Sequence, residues 1–116
     1  MIKEVEKDLE ELVKALKESM PKLVEVRLFG SYNNDNWNPE TSDIDVGVLI
    51  EGINASEYPF AEVRDKLTGA YRNRLQVFVC THWAWESDYS TFNAMRNGRL
   101  LYRRKFICNP LSWLRR

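Results

Sequence analysis

Two short stretches decide the fold predicted for this chain: Leu28-Phe29-Gly30-Ser31 and Ser42-Asp43-Ile44-Asp45-Val46. The first ends an apolar run with a glycine–serine pair, and the second opens another apolar run with two aspartates one residue apart. Because side chains in a strand alternate between faces, Asp43 and Asp45 are predicted to point to the same side. Two carboxylates on one face, beside a glycine that lets the backbone approach an anion, indicate a site for Mg²⁺ and phosphate.

The sequence around these stretches predicts seven secondary-structure elements. Apolar residues at helical spacing predict a first helix that ends before Pro21. The predicted helices cover about 2–19, about 57–71 and the region of 89–95, and the predicted strands cover 23–29, 43–50, 75–81 and, as a short segment, 100–102. The helix between the second and third strands predicts a right-handed parallel crossover. The fold class is therefore α/β (α+β), a small mixed β-sheet of three or four strands with helices packed on it.

Length and composition predict one domain over residues 1–116, with a basic and apolar tail at about 104–116. The apolar runs are much shorter than a membrane span, so no membrane partner is expected. Cys80 and Cys108 lack metal-ligand spacing, and Cys80 is predicted to be a small buried residue. A charged helix pattern starts directly after Met1 in place of a secretory signal, and a cytoplasmic location is expected.

The charges are divided between the two halves of the chain, although they sum to zero. Residues 1–65 hold 15 acidic and 7 basic side chains, whereas residues 66–116 hold 2 acidic and 10 basic side chains. The basic half could meet phosphates or an acidic partner. Alternatively the halves pack together and neutralise each other, which is the interpretation favoured here. The zero net charge does not support nucleic acid as a partner.

The combination of the two stretches resembles the nucleotidyltransferase superfamily related to DNA polymerase beta, and most closely its minimal branch from bacteria and archaea. The pattern in that family is hydrophobic-Phe-Gly-Ser, a loop, and then Ser-Asp-hydrophobic-Asp-hydrophobic. In this chain Gly30 and Ser31 end the first part, residues 32–42 form the loop, and Asp43 and Asp45 follow. The segment 96–102, Arg-Asn-Gly-Arg-Leu-Leu-Tyr, also fits the family.

The resemblance implies transfer of a nucleoside monophosphate from an NTP to a hydroxyl acceptor. In that case Asp43 and Asp45 would be the catalytic metal ligands, with two Mg²⁺ ions if the enzyme is active. Gly30 and Ser31 would hold the triphosphate of the bound NTP. Many minimal members work with a separate helical partner protein, and some of these pairs resemble toxin–antitoxin systems in which the transferase modifies its partner. Such a partner is expected here, and a homo-oligomer remains open.

One position departs from the family pattern. A third carboxylate is expected early in the third strand, but the matching residue of this chain is Gln76. A neutral amide cannot act as a general base, and it would weaken metal binding. Asp35 and Glu40 in the loop are candidates for a substitute carboxylate. Two functions remain open: an active transferase, which we favour, and a catalytically degenerate, antitoxin-like module that binds a nucleotide or a partner.

Several other residues have weaker functional interpretations. Trp37, in a loop rich in asparagine, is predicted to be exposed and available to an acceptor or partner chain. Trp83 and Trp85 could stack on a base, although packing in the core or at its rim is favoured. A surface or hydrogen-bonded role is favoured over catalysis for His82, the one histidine of the chain. The apolar residues of the segment 110–114 would dock on the domain or form an interface.

Overall fold

The fold is built on one β-sheet with helices packed on it. The structure is a computed structural model that describes residues 2–52 and 54–105. It contains strands β1 (Leu23–Phe29), β2 (Ile44–Ile50), β3 (Leu75–Cys80) and β4 (Arg99–Arg103), and helices α1 (Lys3–Ser19), α2 (Phe60–Asp65), α3 (His82–Trp85) and α4 (Ser90–Arg96). Short 3₁₀ turns at Ala55–Glu57 and Arg72–Arg74 precede α2 and β3. Cys108, the segment 110–114 and most of the predicted tail lie outside the described residues.

The four strands form one mixed sheet in the order β3-β2-β1-β4. Strand β1 runs antiparallel to both β2 and β4, whereas β2 and β3 are parallel. The predicted fold class and the predicted parallel pairing of the second and third strands are therefore confirmed. In the part of the chain that the structure describes, no helix is long and apolar enough to span a membrane.

Helix α1 covers one face of the sheet. Its apolar stripe is buried, because residues at helical spacing all turn towards the strands. The resulting core joins residues of α1 to residues of β1 and β2, with side chains that include Val5, Leu9, Leu12, Leu16, Val26, Leu28, Val46 and Val48. Helices α3 and α4 cover the opposite face with a smaller core of Phe29, Leu49, Cys80, Trp85 and Met95. Cys80 is buried, as its sequence context predicts.

A β-bulge at the start of β1 changes which face of the sheet Leu23 and Val24 occupy. Strict alternation would place Leu23 on the same face as Phe29. The pairing with β2 shifts between Leu23 and Glu25, so an extra residue enters the strand there. Leu23 consequently packs in the α1 core, and Val24 packs on the opposite side. Periodicity alone does not reveal such a bulge.

The second predicted helix is much shorter than the sequence pattern suggests, since α2 ends at Asp65 rather than near residue 71. The following backbone amides bond to carboxylates of α1 in place of helix carbonyls. Glu11 accepts from the amide of Thr68, and Asp8 accepts from the amide of Tyr71 at 2.7 Å. These long-range bonds compete with the helical bonds and end α2 early.

The acidic and basic halves of the chain pair with each other. Four ion pairs of the described residues join a basic side chain after position 65 to a glutamate before it: Arg99 to Glu6 at 2.8 Å, Arg103 to Glu25 at 2.8 Å, Lys66 to Glu18 at 3.4 Å, and Arg104 to Glu51. The structure thus supports mutual neutralisation of the two halves, as favoured from the sequence, over an unpaired basic surface.

Candidate active site

The two aspartates lie where β2 begins. Asp43 directly precedes the strand and Asp45 is its second residue. In the sheet register Asp45 stands opposite Phe29 at the end of β1 and opposite Gln76 near the start of β3. The motif therefore occupies one end of the sheet, where β1 finishes and the parallel strands β2 and β3 start. Asp43 is exposed and Asp45 is half-buried, so the site opens to solvent.

Gly30 is required next to Asp45 for two reasons. Its φ is +78°, a left-handed conformation that side chains with a Cβ atom rarely adopt. In addition, a methyl group placed on Gly30 would overlap the Asp45 carboxylate. Gly30 and the second aspartate are thus in direct contact, although Asp45 lies 15 positions further along the chain.

Ser31 starts a tight turn rather than a regular helix. The Asn34 amide donates to the carbonyls of Gly30 at 3.2 Å and Ser31 at 3.1 Å, and the Asn36 amide also donates to Ser31. Asp35 has a φ of 62°. The turn fixes the backbone that follows Gly30, and Ser31 is half-buried there.

Gln76 faces both aspartates. With its amide oriented to satisfy the surrounding acceptors, the side-chain nitrogen donates to Asp45 Oδ1 at 3.2 Å and to Asp43 Oδ2 at 3.3 Å. The structure thus places Gln76 at the position where the family resemblance implies a third carboxylate. The site consists of two carboxylates and one amide.

The charge of the site is poorly compensated. Burial raises the pKa of Asp45, and the neighbouring Asp43 carboxylate raises this pKa further. Both influences disfavour two ionised carboxylates, and the charge of a divalent cation would offset both. Asp43 and Asp45 fit one such ion as charged oxygen ligands, with the remaining positions left to substrate oxygens and water.

No third carboxylate completes the site among residues 2–52 and 54–105, where no cluster of three or more His, Cys, Asp or Glu side chains is suited to a metal ion. Asp35 and Glu40 are exposed on the loop and do not supply the substitute ligand considered from the sequence.

Trp37 anchors the loop between the two halves of the motif. The sequence predicts an exposed ring, but the ring packs edge-on against Tyr32 at 5.2 Å and Tyr71 at 5.6 Å between centroids. Its indole nitrogen donates to the carbonyl of Ser42 at 3.0 Å. The prediction of an exposed Trp37 is therefore wrong, because the loop folds back onto the core and buries part of the ring.

Arg74 is a positioning residue that sequence reasoning missed. Its guanidinium group lies 5.9 Å from the centre of the Trp37 ring and donates to the carbonyls of Pro39, at 2.6 Å, and Ser42. These bonds tie the loop to the residue before β3, and they hold the chain immediately before Asp43. An arginine directly before a strand gives no signal of this role, since its partners are backbone carbonyls more than 30 positions away.

A second hydrogen-bond network holds the glycine–serine turn on the side that faces α1 and β4. The Tyr32 hydroxyl donates to Glu6 at 2.7 Å, and Arg99 donates to the same carboxylate oxygen at 2.8 Å. Burial and then the hydrogen bond to Glu6 raise the pKa of Tyr32 to about 12. Tyr32 therefore remains protonated and links the turn to α1 and β4.

The aromatic residues that follow β3 differ in how far they are exposed to solvent. Trp85 is buried in the core under α3, as favoured from the sequence. Trp83 is 83 % exposed, so the packing role favoured for it is wrong. His82 is exposed at the first position of α3, in agreement with a surface location.

A groove of about 370 Å³ lies between α2 and β3, beside the carboxylates rather than over them. Gln76 is among the residues that line the groove, whereas Asp43 and Asp45 are not. Apolar side chains, two arginines and one asparagine form the rest: Leu12, Tyr58, Phe60, Val63, Leu67, Leu75 and Val77, with Arg64, Arg72 and Asn73.

The comparison with protein families decides the family. The sequence model described as "Nucleotidyltransferase domain" matches residues 9–111 of the chain. The chain belongs to this nucleotidyltransferase family. The matched range includes both halves of the motif, and it confirms the resemblance drawn from residues 28–31 and 42–46.

A solved structure supports the same fold for this nucleotidyltransferase domain. It is a protein from Sulfolobus solfataricus that is provisionally assigned as a nucleotidyltransferase. The two chains are 21 % identical, with a TM-score of 0.59, and the match covers 87 % of this chain and 85 % of that chain. At this identity the likeness shows the fold alone. The comparison with curated proteins finds no match.

Proposed function

We propose that this nucleotidyltransferase domain transfers a nucleoside monophosphate from Mg²⁺–NTP to a hydroxyl acceptor. One observation carries the proposal: Asp43, Asp45 and the Gly30 turn meet at one solvent-open end of the sheet. The sequence separates these groups, and the fold brings them together with a charge that a divalent ion would balance. The family membership supports the same activity.

In this proposal Asp43 and Asp45 hold a divalent ion at the reacting phosphate. When bound, the ion would stabilise charge on the transferred phosphoryl group and on the pyrophosphate that leaves. Gly30 lets the backbone approach the triphosphate closely, and the Ser31 hydroxyl is available to donate to a phosphate oxygen. Arg74 keeps Asp43 in place by fixing the preceding loop. Because Gln76 cannot accept a proton, activation of the acceptor hydroxyl does not pass through that residue.

Labelling with an α-phosphate-labelled NTP tests this proposal. We expect the protein with Mg²⁺ to transfer label to an acceptor present in lysate, or to itself. Asp43→Asn should lower the rate on the order of 10²–10³-fold, because the ion loses a charged ligand. Asp35→Asn makes the same chemical change in the exposed loop, and should leave the rate unchanged.

Binding measurements give the result that would contradict this proposal. If neither Mg²⁺ nor any NTP binds at millimolar concentration, as measured by calorimetry, this nucleotidyl-transfer function is wrong for the chain. A separate helical partner protein, proposed from the family resemblance, would then lose its role as acceptor, but it could still bind.

Gln76 favours a second candidate function. The amide supplies no charge at the third position, so the fold could bind a nucleotide or a partner without performing chemistry. Under this alternative, a variant with both Asp43→Asn and Asp45→Asn binds the same partner with unchanged affinity. An active transferase would instead lose both Mg²⁺ binding and labelling in that variant.

A further inference from the structure

The geometry points to a role for Gln76 that its neutrality alone does not suggest. We propose that the Gln76 amide bridges Asp43 and Asp45 in the protein without a divalent ion, and that an incoming ion displaces this bridge. The displacement step rests on the proposed function, because that function requires the ion. The bridge in the ion-free protein does not depend on it. Gln76 is a positioning residue in this proposal, since it acts through the two carboxylates.

The first support is the match between donors and acceptors. A side-chain amide nitrogen carries two hydrogens. Gln76 has one carboxylate oxygen within reach of each: Asp45 Oδ1 at 3.2 Å and Asp43 Oδ2 at 3.3 Å. The parallel pairing of Gln76 with Asp45 across β2 and β3 fixes this arrangement through the backbone.

The second support is the repulsion between the aspartates. Two like charges that share a site raise the free energy of the ionised pair. A bridging amide donates to both carboxylates at once and adds no negative charge. A carboxylate at position 76 would add a third negative charge instead. The glutamine therefore keeps the two aspartates together when no cation is present.

The third support is the exposure of Gln76. The side chain lies at the open edge of the sheet, because β3 is the last strand on that side. The amide can rotate or swing out without repacking the core. Displacement by an ion is thus a local change, after which the amide oxygen is free to face the ion.

Nuclear magnetic resonance tests the bridge directly, because Gln76 is the one glutamine in the chain. Its side-chain NH₂ signals are therefore unique among glutamine signals in a ¹⁵N correlation spectrum. In EDTA we expect these signals to be displaced from free-glutamine positions and to return towards them in Asp45→Asn. Signals at free-glutamine positions in EDTA, unchanged by Asp45→Asn, would overturn the bridge.

Titration with Mg²⁺ separates the two proposals. Loss of the displaced signals at millimolar Mg²⁺ supports both the bridge and its replacement by an ion. If the signals are displaced in EDTA and Mg²⁺ does not change them, the bridge stands and the Mg²⁺-dependent function fails.

Thermal unfolding provides a second measurement. Gln76→Glu replaces the bridge with a third negative charge, so we expect the melting temperature in EDTA to fall by about 5 °C. Millimolar Mg²⁺ should restore it. Asn73→Asp is the matched control, since it makes the same amide-to-acid change three positions earlier on an exposed turn. Equal melting temperatures for the two variants in EDTA would contradict the inference.

Discussion

Two carboxylates on the same face of the sheet have opposite surroundings. At one end Glu25, whose side chain is 10 % exposed, accepts from Arg27 Nε at 2.7 Å and from Arg103 Nε at 2.8 Å. At the other end Asp45 faces a second carboxylate and an amide. Burial raises the pKa of Glu25, but the hydrogen bonds from the two arginines outweigh it and the pKa is lowered. The pKa of Asp45 is raised instead.

The difference separates a carboxylate whose charge the fold compensates from one whose charge it does not. The fold supplies the cations that Glu25 needs, and the cluster joins β1 to β4. Asp45 accepts one hydrogen bond from a neutral amide, and the two influences on its pKa, burial and the Asp43 carboxylate, both raise it. A carboxylate pair that the fold leaves negative is suited to a cation from outside. The contrast supports the proposed metal site with an observation that does not depend on the motif.

Removing the charge of Glu25 should have the largest effect on stability. Glu25→Gln leaves the partly buried Arg27 without a full partner, so we expect the free energy of unfolding to fall by about 3 kcal/mol. Urea denaturation measures this change. Glu51→Gln is the matched variant at the exposed pair with Arg104 and should cost less than about 1 kcal/mol. Equal losses would show that burial of the Glu25 cluster is unimportant.

Gly30→Ala should affect both stability and the site. The positive φ and the overlap with Asp45 together should lower the free energy of unfolding by about 2 kcal/mol. Gly52→Ala is the control, since its φ is +116° and a methyl group there meets no atom within 4 Å. Only Gly30→Ala is expected to weaken Mg²⁺ binding, as measured by calorimetry. Equal Mg²⁺ affinities for the two variants would mean that Gly30 does not position Asp45.

Acid should remove the stabilisation at Glu25. The folded pKa of this carboxyl is lowered from 4.5, so its contribution is complete above pH 4.5 and is lost as the pH falls through the lower folded value. Unfolding followed between pH 6 and 2 should therefore show a shallower loss of stability for Glu25→Gln than for the unmodified protein. Parallel curves for the two proteins would contradict this assignment.

Asp45→Asn should have the smallest effect on stability. The substitution removes a charge that the fold does not compensate, so we expect the free energy of unfolding in EDTA to change by less than about 0.5 kcal/mol or to rise slightly. Urea denaturation beside Glu25→Gln makes the comparison direct. A loss as large as that of Glu25→Gln would show that Asp45 also serves a structural role.

The sequence predicted the parts of this fold that depend on local pattern. Helix α1 follows from apolar residues at helical spacing, and Pro21 marks where it ends. The strands follow from alternation, and the placement of the Gly30 turn near the two aspartates follows from the motif. The sequence also identified Gln76 as the residue in place of the third carboxylate, since it lies early in the third strand.

Local pattern failed where distant residues compete for the same groups. Glu11 and Asp8 take backbone amides that would have extended α2. Arg74 and Tyr71 enclose Trp37, which composition alone marks as exposed. Each of these contacts joins positions that are far apart in the chain, and no periodicity records them.

The sequence by itself determined the family, the parallel pairing of the second and third strands and the candidate residues of the site, because motif spacing and alternation along strands are local features. Only the tertiary structure decided how each charge is compensated. Hydrogen bonds and ion pairs act over a few ångströms in space, so the pairing of Glu25 with two arginines depends on the completed sheet. The same holds for the Gln76 amide, which reaches both aspartates because β3 lies parallel to β2.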